Sequence, residues 1–273
     1  PGPRHSPRKR FGQNFLQDGS VISRIANAIH PLPGEHLVEI GPGMGALTEA
    51  LVSSGCALDV SELDRDLVPG LLAAFSLRPG FRLHSEDALQ FDFRALLDRA
   101  AGSADGPDDQ LRIVGNLPYN ISTPLLFRLL EHTEIIRDMH FMLQLEVVQR
   151  LAATPGSKDW GRLGIMAQYH CQVEHLFDVD PSAFRPAPKV QSAVVRLTPF
   201  RTSPWPGCSA AQLRTLVKAA FAQRRKTLRN NLKGIIDSER LEALGVDPGA
   251  RAETLELATF IEIARAIDVQ RSV

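Results

Sequence analysis

Asn116-Leu117-Pro118-Tyr119 brings together a side-chain amide, a carbonyl preceding a proline and an aromatic face within four residues, directly after the apolar run Leu111 to Val114. These are the groups needed to hold a planar base swung out of its stack. The Asn116 carbonyl and the Leu117 main-chain carbonyl can accept the hydrogens of an exocyclic amine, and Tyr119 offers a face for the ring. Held this way, the amino nitrogen is oriented for attack on an electrophile. The same residues also suit a plain strand-to-helix turn, with Ser122-Thr123-Pro124 starting the helix.

A second group of residues fits a nucleoside-bearing ligand. Glu39-Ile40-Gly41-Pro42-Gly43-Met44-Gly45 follows an apolar strand, and its glycines let a ligand approach the backbone in front of a helix N-terminus. Gly41, Gly43 and Ala46 also match the dinucleotide pattern. Pro42 argues against a pyrophosphate, because it removes one of the backbone donors that a pyrophosphate uses. Glu62 ends the second strand and is placed to accept two ribose hydroxyls, with Asp64 as its rival. Asp87 follows the third strand, where a carboxylate can accept from an adenine amine or cap a helix. Phe184, on the loop Phe184-Arg185-Pro186-Ala187-Pro188-Lys189-Val190, is either a packed ring or a second stacking face.

The elements that must position these groups alternate between short apolar strands and helical patterns, the mark of an α/β fold with a parallel sheet. Strands are expected at His36 to Ile40, Ala57 to Leu63, Arg82 to His84, Leu111 to Val114 and Met139 to Leu143, with a β-rich closing segment at Val190 to Thr198. Ala101 to Gln110 is small, polar and acidic, and reads as a surface loop. Three prolines between Pro199 and Pro206 end the sheet domain, which places one domain at residues 1–200 and a helical one at 207–273.

With 273 residues, 44% of them hydrophobic, the chain can bury a full core. Cys56, Cys171 and Cys208 are odd in number and widely spaced, which fits free thiols in a reducing, cytoplasmic compartment. No apolar run approaches a membrane span, and the basic Pro1 to Arg10 leads into no apolar signal core. The histidines are scattered, and no His/Cys/carboxylate cluster has metal-ligand spacing. Net charge is zero, but seven cations and no acid fall between Cys208 and Ile236, followed by eight acids and four arginines from Asp237 to Val273. Arg214, Lys218, Arg225 and Arg229 repeat at helical intervals and are expected to share one helix face, with Arg224 and Lys226 beside it.

Phe11-Gly12-Gln13-Asn14-Phe15-Leu16, the Glu39 to Gly45 turn, Asn116-Leu117-Pro118-Tyr119, Phe184-x-Pro186-x-Pro188-Lys189-Val190 and Phe221-Ala222-Gln223-Arg224-Arg225-Lys226-Thr227 stand in the order and spacing of a known family. The chain resembles the ribosomal RNA small-subunit adenine dimethyltransferases of the KsgA type over nearly its whole length. The resemblance implies a Rossmann-like S-adenosylmethionine-dependent methyltransferase domain with a small all-helical C-terminal domain. It implies dimethylation of two adjacent adenines near the 3′ end of small-subunit ribosomal RNA. By position, Asn14 and Leu16 would close over the methyl donor with Gln13 beside them, and Gly41 and Gly43 would lie under it. Glu62 would hold its ribose, Asp87 its adenine amine, and Asn116 would sit between donor and target. Ser61 and Leu145 depart from the family pattern, which usually has an apolar residue beside Glu62 and a Lys in place of Leu145.

The catalytic set expected is therefore Asn116, Leu117, Tyr119 and Phe184, working by positioning and without a metal. RNA contacts are expected from Arg8, Lys9, Arg10, Arg224, Arg225, Lys226 and Arg229. The partner is small-subunit ribosomal RNA within an immature small subunit, bound by a monomeric chain with no membrane partner. Three alternatives remain at this point: a large-subunit ribosomal RNA methyltransferase of the macrolide-resistance type, a nicotinamide oxidoreductase, and a non-catalytic ribosome-assembly factor.

Overall fold

The computed structural model describes residues 13–100 and 110–271. Arg8, Lys9 and Arg10, and all of the expected acidic loop except Gln110, lie outside the described residues. The chain divides into two compact units, Pro1–Val148 with Glu174–Pro199, and Gln149–Val173 with Phe200–Val273. Residues 149–173 therefore group with the tail, whereas the sequence boundary at residue 200 groups them with the sheet.

In chain order the first unit contains β1 (Phe15–Leu16), α1 (Gly19–Ile29), β2 (His36–Ile40), α2 (Ala46–Val52), β3 (Ala57–Ser61), α3 (Val68–Phe75), β4 (Phe81–His84), α4 (Phe93–Ala100), β5 (Leu111–Asn116), α5 (Tyr119–Leu130) and β6 (Ile136–Gln144). Then come α6 (Leu145–Leu151), α7 (Arg162–His170), β7 (Cys171–Val179), β8 (Phe184–Arg185) and β9 (Ser192–Pro199). Seven strands form one sheet in the order β4-β3-β2-β5-β6-β9-β7. Strands β2 to β6 pair in parallel and β9 runs antiparallel to β6. Both faces are covered, so β2 is buried at every residue and its Leu37 and Val38 are wholly inaccessible. This burial is why the parallel strands read as apolar runs rather than alternating ones.

Strand order runs outward from β2 to β4 on one side and from β5 to β6 on the other. A crevice opens at the C-terminal ends of strands where the order reverses, between β2 and β5. At the opposite ends of these strands the Arg112 guanidinium is buried and fully engaged. It donates to Asp138 at 3.0 Å, to Glu35 at 2.7 Å and to the Ile29 carbonyl at 2.5 Å, tying α1, β5 and β6 together.

Three local expectations need correction. The helix after Pro118 begins at Tyr119 rather than at Ser122. Pro118 serves as its N-cap, and the Ser122 hydroxyl donates to the Tyr119 carbonyl at 3.0 Å inside the first turn. Pro124 lies within this helix, beyond the first turn. The nine-residue strand β7 has no counterpart in the sequence reading.

The third correction concerns the tail, which contains α8 (Ala210–Ala220), α9 (Leu228–Asn231), α10 (Ser238–Ala243) and α11 (Leu257–Arg271). Arg214 and Lys218 lie on α8, Arg225 lies in the turn after it, and Arg229 lies on α9, so the four do not share a helix face. The Asn231 side chain donates at 2.8 Å to the carbonyl of Ala220, the last residue of α8, a group that a helix end leaves unsatisfied, and at 3.0 Å to that of Gln223 in the following turn. Among the described residues no helix is long and apolar enough to cross a membrane. All three cysteines are free and buried.

Candidate active site

The crevice at the C-terminal ends of the parallel strands is a cavity. Every residue that the sequence assigns to catalysis or donor binding lines it: Gln13, Asn14, Leu16, Gly41, Gly43, Glu62, Asp87, Asn116, Leu117, Tyr119 and Phe184. Asp64 does not line it.

The glycine turn leaves β2 with Gly41 at φ +66°, Gly43 at +59° and Gly45 at +87°, values that L side chains rarely adopt. Space also excludes larger residues: a Cβ on Gly43 would come within 2.9 Å of the Phe15 ring. Strand β1 is thus packed directly onto the turn. It pairs with β8, Phe15 opposite Arg185 and Leu16 opposite Phe184, so the segment carrying Asn14 is stitched to the segment carrying Phe184.

Glu62 is 6% exposed just beyond β3. It accepts the Asp64 amide at 2.8 Å and the Gly43 amide at 3.3 Å, which joins the glycine turn to the carboxylate. Burial raises its pKa, against the lowering effect of those two bonds. Asp64 is 1% exposed and takes the Gln13 side-chain amide at 2.7 Å and the Asp66 backbone amide at 3.2 Å. Glu62 lines the cavity, whereas Asp64 lies off it and anchors Gln13. Asp87 is half-buried, and one carboxylate oxygen accepts the Leu89 amide at 2.9 Å. Ser61, the departure beside Glu62, donates its hydroxyl to the Glu86 carbonyl at 3.1 Å and so steadies the loop that carries Asp87.

Asn116 ends β5, and its amide nitrogen donates to the Asn14 carbonyl at 3.3 Å. This leaves Oδ1 as the end of the amide able to accept from a ligand. The Leu117 amide donates to the Met142 carbonyl at 3.2 Å, which holds the turn against β6. Tyr119 is 58% exposed, a large aromatic surface at the mouth of the cavity. Phe184 is only 3% exposed and belongs to the apolar cluster of Phe15, Leu16 and Val194. It is a packed ring and a wall of the cavity at once.

The sequence reading quoted Glu39 within the glycine turn but gave it no role. It lines the cavity at 2% exposure, its carboxylate accepts from the Thr48 hydroxyl at 2.7 Å, and burial, with the nearby Glu62 charge, raises its pKa to about 7. The available signal was a single carboxylate between Val38 and Ile40 in a short strand. His140, also on the lining, is held near pKa 4 by burial, and its Nε2 accepts from the Arg196 Nε at 3.0 Å.

The cavity at the switch point of the parallel sheet thus brings together the glycine turn, the Glu62 carboxylate and the Asn116 to Tyr119 turn. The model of the ribosomal RNA adenine dimethylase family matches residues 4–268. The chain belongs to this family. Among members of known function, it is 58% identical over 96% of its length to the ribosomal RNA small subunit methyltransferase A of Pseudomonas aeruginosa, covering 95% of that protein. It is 54% identical to the one from Saccharophagus degradans, over 96% of this chain and 95% of that protein. Among solved structures, the dimethyladenosine transferase of Plasmodium falciparum shares the dimethylase fold with a TM-score of 0.78 at 21% identity, over 94% of this chain and 98% of that one. The 23S rRNA methyltransferase ErmE superposes with a TM-score of 0.71 at 25% identity, over 93% of this chain and 100% of that one.

Proposed function

We infer that this protein transfers methyl groups from S-adenosylmethionine to the exocyclic amines of two adjacent adenines near the 3′ end of small-subunit ribosomal RNA, within an immature small subunit in the cytoplasm. Its membership of the dimethylase family and its likeness to the small-subunit enzymes support that substrate over a large-subunit one. The observation that carries the reading is the cavity in which Glu62 and Asn116 both take part. A nicotinamide oxidoreductase would leave the Asn116 to Tyr119 turn without a role.

The residues fit the donor. Glycines at positive φ keep side chains out of the space under it, Glu62 presents carboxylate oxygens for ribose hydroxyls, and Asp87 keeps one oxygen beyond its bond to Leu89 for an amine. When bound, S-adenosylmethionine supplies an electrophilic methyl on a sulfonium that is its own leaving group. Asn14 and Leu16 cover that region from β1. An adenine amine is a poor nucleophile because its lone pair is delocalised into the ring. Asn116 Oδ1 and the Leu117 carbonyl accept its two hydrogens and favour a geometry in which the lone pair leaves the ring plane. Tyr119 stacks on the base, and Phe184 closes the far wall. This is catalysis by positioning. The monomethylated amine presents one hydrogen fewer, so a second transfer requires the space beside Tyr119 to accept a methyl group.

Mass spectrometry of small-subunit RNA after incubation with the donor tests the reading. Dimethyladenosine at two neighbouring positions is the expected result. Methyl groups on large-subunit RNA alone, or on neither RNA when immature subunits are supplied, would overturn it.

A further inference from the structure

Of the seven cations between Cys208 and Ile236, Arg229 and Lys233 stand apart, because both line a cleft of about 560 Å³ within the tail unit, together with Asn230, Gly234, Asp237 and Ser238. The others lie outside it. Arg224, for example, is engaged by the Lys158 carbonyl and lies 4.0 Å from Glu253.

The walls of the cleft are well fixed. The Leu228 and Arg229 amides donate to the carbonyls of Ala250 at 2.8 Å and Pro248 at 2.9 Å. Leu228, Leu232 and Leu241 are fully buried beneath them. Arg229 Nε donates to the Ser238 hydroxyl at 3.2 Å, fixing the guanidinium between α9 and the start of α10. Its two terminal nitrogens and the Lys233 ammonium have no ion-pair partner among the described residues. The acid of the lining, Asp237, commits one oxygen to the Arg240 amide at 2.8 Å. Two cations and one carboxylate leave the lining with a net charge of +1.

We propose that this cleft is a phosphodiester site that holds the ribosomal RNA backbone, an inference that rests on the RNA-methylating function above. The paired terminal nitrogens of an Arg match two phosphate oxygens, while Lys233 adds a point charge and the Asn230 amide a further donor. The lining offers no aromatic face for a base, so it reads backbone rather than sequence. A net charge of +1 matches the single charge of a phosphodiester better than the nearly double charge of free phosphate at neutral pH.

The test uses the full-length chain with Arg229→Gln and Lys233→Gln combined, and measures binding to immature small subunits across a salt series. The slope of log affinity against log salt should fall by about 1.4 to 1.8, two contacts at about 0.7–0.9 each, with melting temperature and S-adenosylmethionine affinity unchanged. An unchanged slope in a folded variant overturns the site, provided the wild-type protein methylates the same subunits. If the wild-type protein does not, the functional reading itself has failed. Inorganic phosphate alone is the second probe. If it raises the wild-type melting temperature, leaves that of the variant unmoved and the RNA slope is unchanged, the cleft belongs to a free anion. A lower melting temperature in the double Gln variant calls for Lys233→Gln alone, which leaves the Arg229 bond to Ser238 in place. A slope lower by about 0.7–0.9 is then expected, and an unchanged slope overturns the site.

Discussion

Replacing Glu39 by Gln removes an ionisable group from the cavity lining and preserves its size and one acceptor for the Thr48 hydroxyl. Glu39 is 2% exposed, and burial raises its pKa from the ordinary 4.5 to about 7. At ~1.4 kcal/mol per pH unit this difference corresponds to ~3 kcal/mol. The sign follows from which state releases its proton first. Below about pH 4.5 the carboxyl is protonated in both folded and unfolded chains, and its ionisation does not affect stability. Between about 4.5 and about 7 the unfolded chain loses the proton first, so stability falls, and the full deficit is present above about pH 7. The amide of the Glu39→Gln variant has no such titration. The melting temperature of the variant minus that of wild type should therefore widen between about pH 5 and about pH 8. At about 2–4 °C per kcal/mol for a chain of this size, the widening is about 6–12 °C. Any fixed penalty for burying the second half of the amide shifts the difference curve without tilting it. Paired thermal scans across that pH range measure the tilt, and parallel curves would refute the reasoning.

Asn116→Ala should lower methyl transfer by a factor on the order of 10² or more while donor affinity stays near wild type. Single-turnover transfer close to wild type would show that the Leu117 carbonyl suffices. Glu62→Ala should weaken S-adenosylmethionine binding by about 1–3 kcal/mol, read by calorimetry, whereas an unchanged dissociation constant would remove Glu62 from the ribose. Arg225→Ala should flatten the salt dependence of RNA binding by up to about 0.7–0.9 with no thermal cost. Arg224→Ala should in addition lower the melting temperature slightly, because Arg224 also bonds the Lys158 carbonyl. If the two variants lose equal stability and neither changes the salt slope, both arginines are structural.

The parallel core was legible in the sequence because strands buried on both faces are mostly apolar, and β2 was read to its ends as His36 to Ile40. The cavity lining was legible in part because the glycine turn, Glu62, Asp87 and the Asn116 turn lie at or just beyond the C-terminal ends of parallel strands, which pairing brings to one edge. Strand β7 escaped because Cys171–Val179 mixes exposed, half-buried and buried positions without alternation. The ribbon of β1 and β8 escaped because two-residue strands have no period to detect. The basic residues were misplaced on one helix because charge spacing says nothing of where a helix stops. At the stop the Ala220 carbonyl is taken by the side chain of Asn231, a residue of the next helix. Glu39 was passed over since its significance lies in its burial, a property of the assembled sheet.

The ribbon has a consequence for the order in which the protein is made. Strand β1 leaves the ribosome before the parallel strands, and its partner β8 follows only after all five of them. At about 5–20 residues per second the interval is on the order of 10 s. Throughout it a nascent chain can already pair β2 with β3 and β5, setting Glu62 and Asn116 at the C-terminal ends of the strands, while β1 has no strand to pair with. Pairing of β1 thus waits for a segment beyond the parallel strands, and a partly synthesised chain has the floor of the cavity without the wall that β1 and β8 supply.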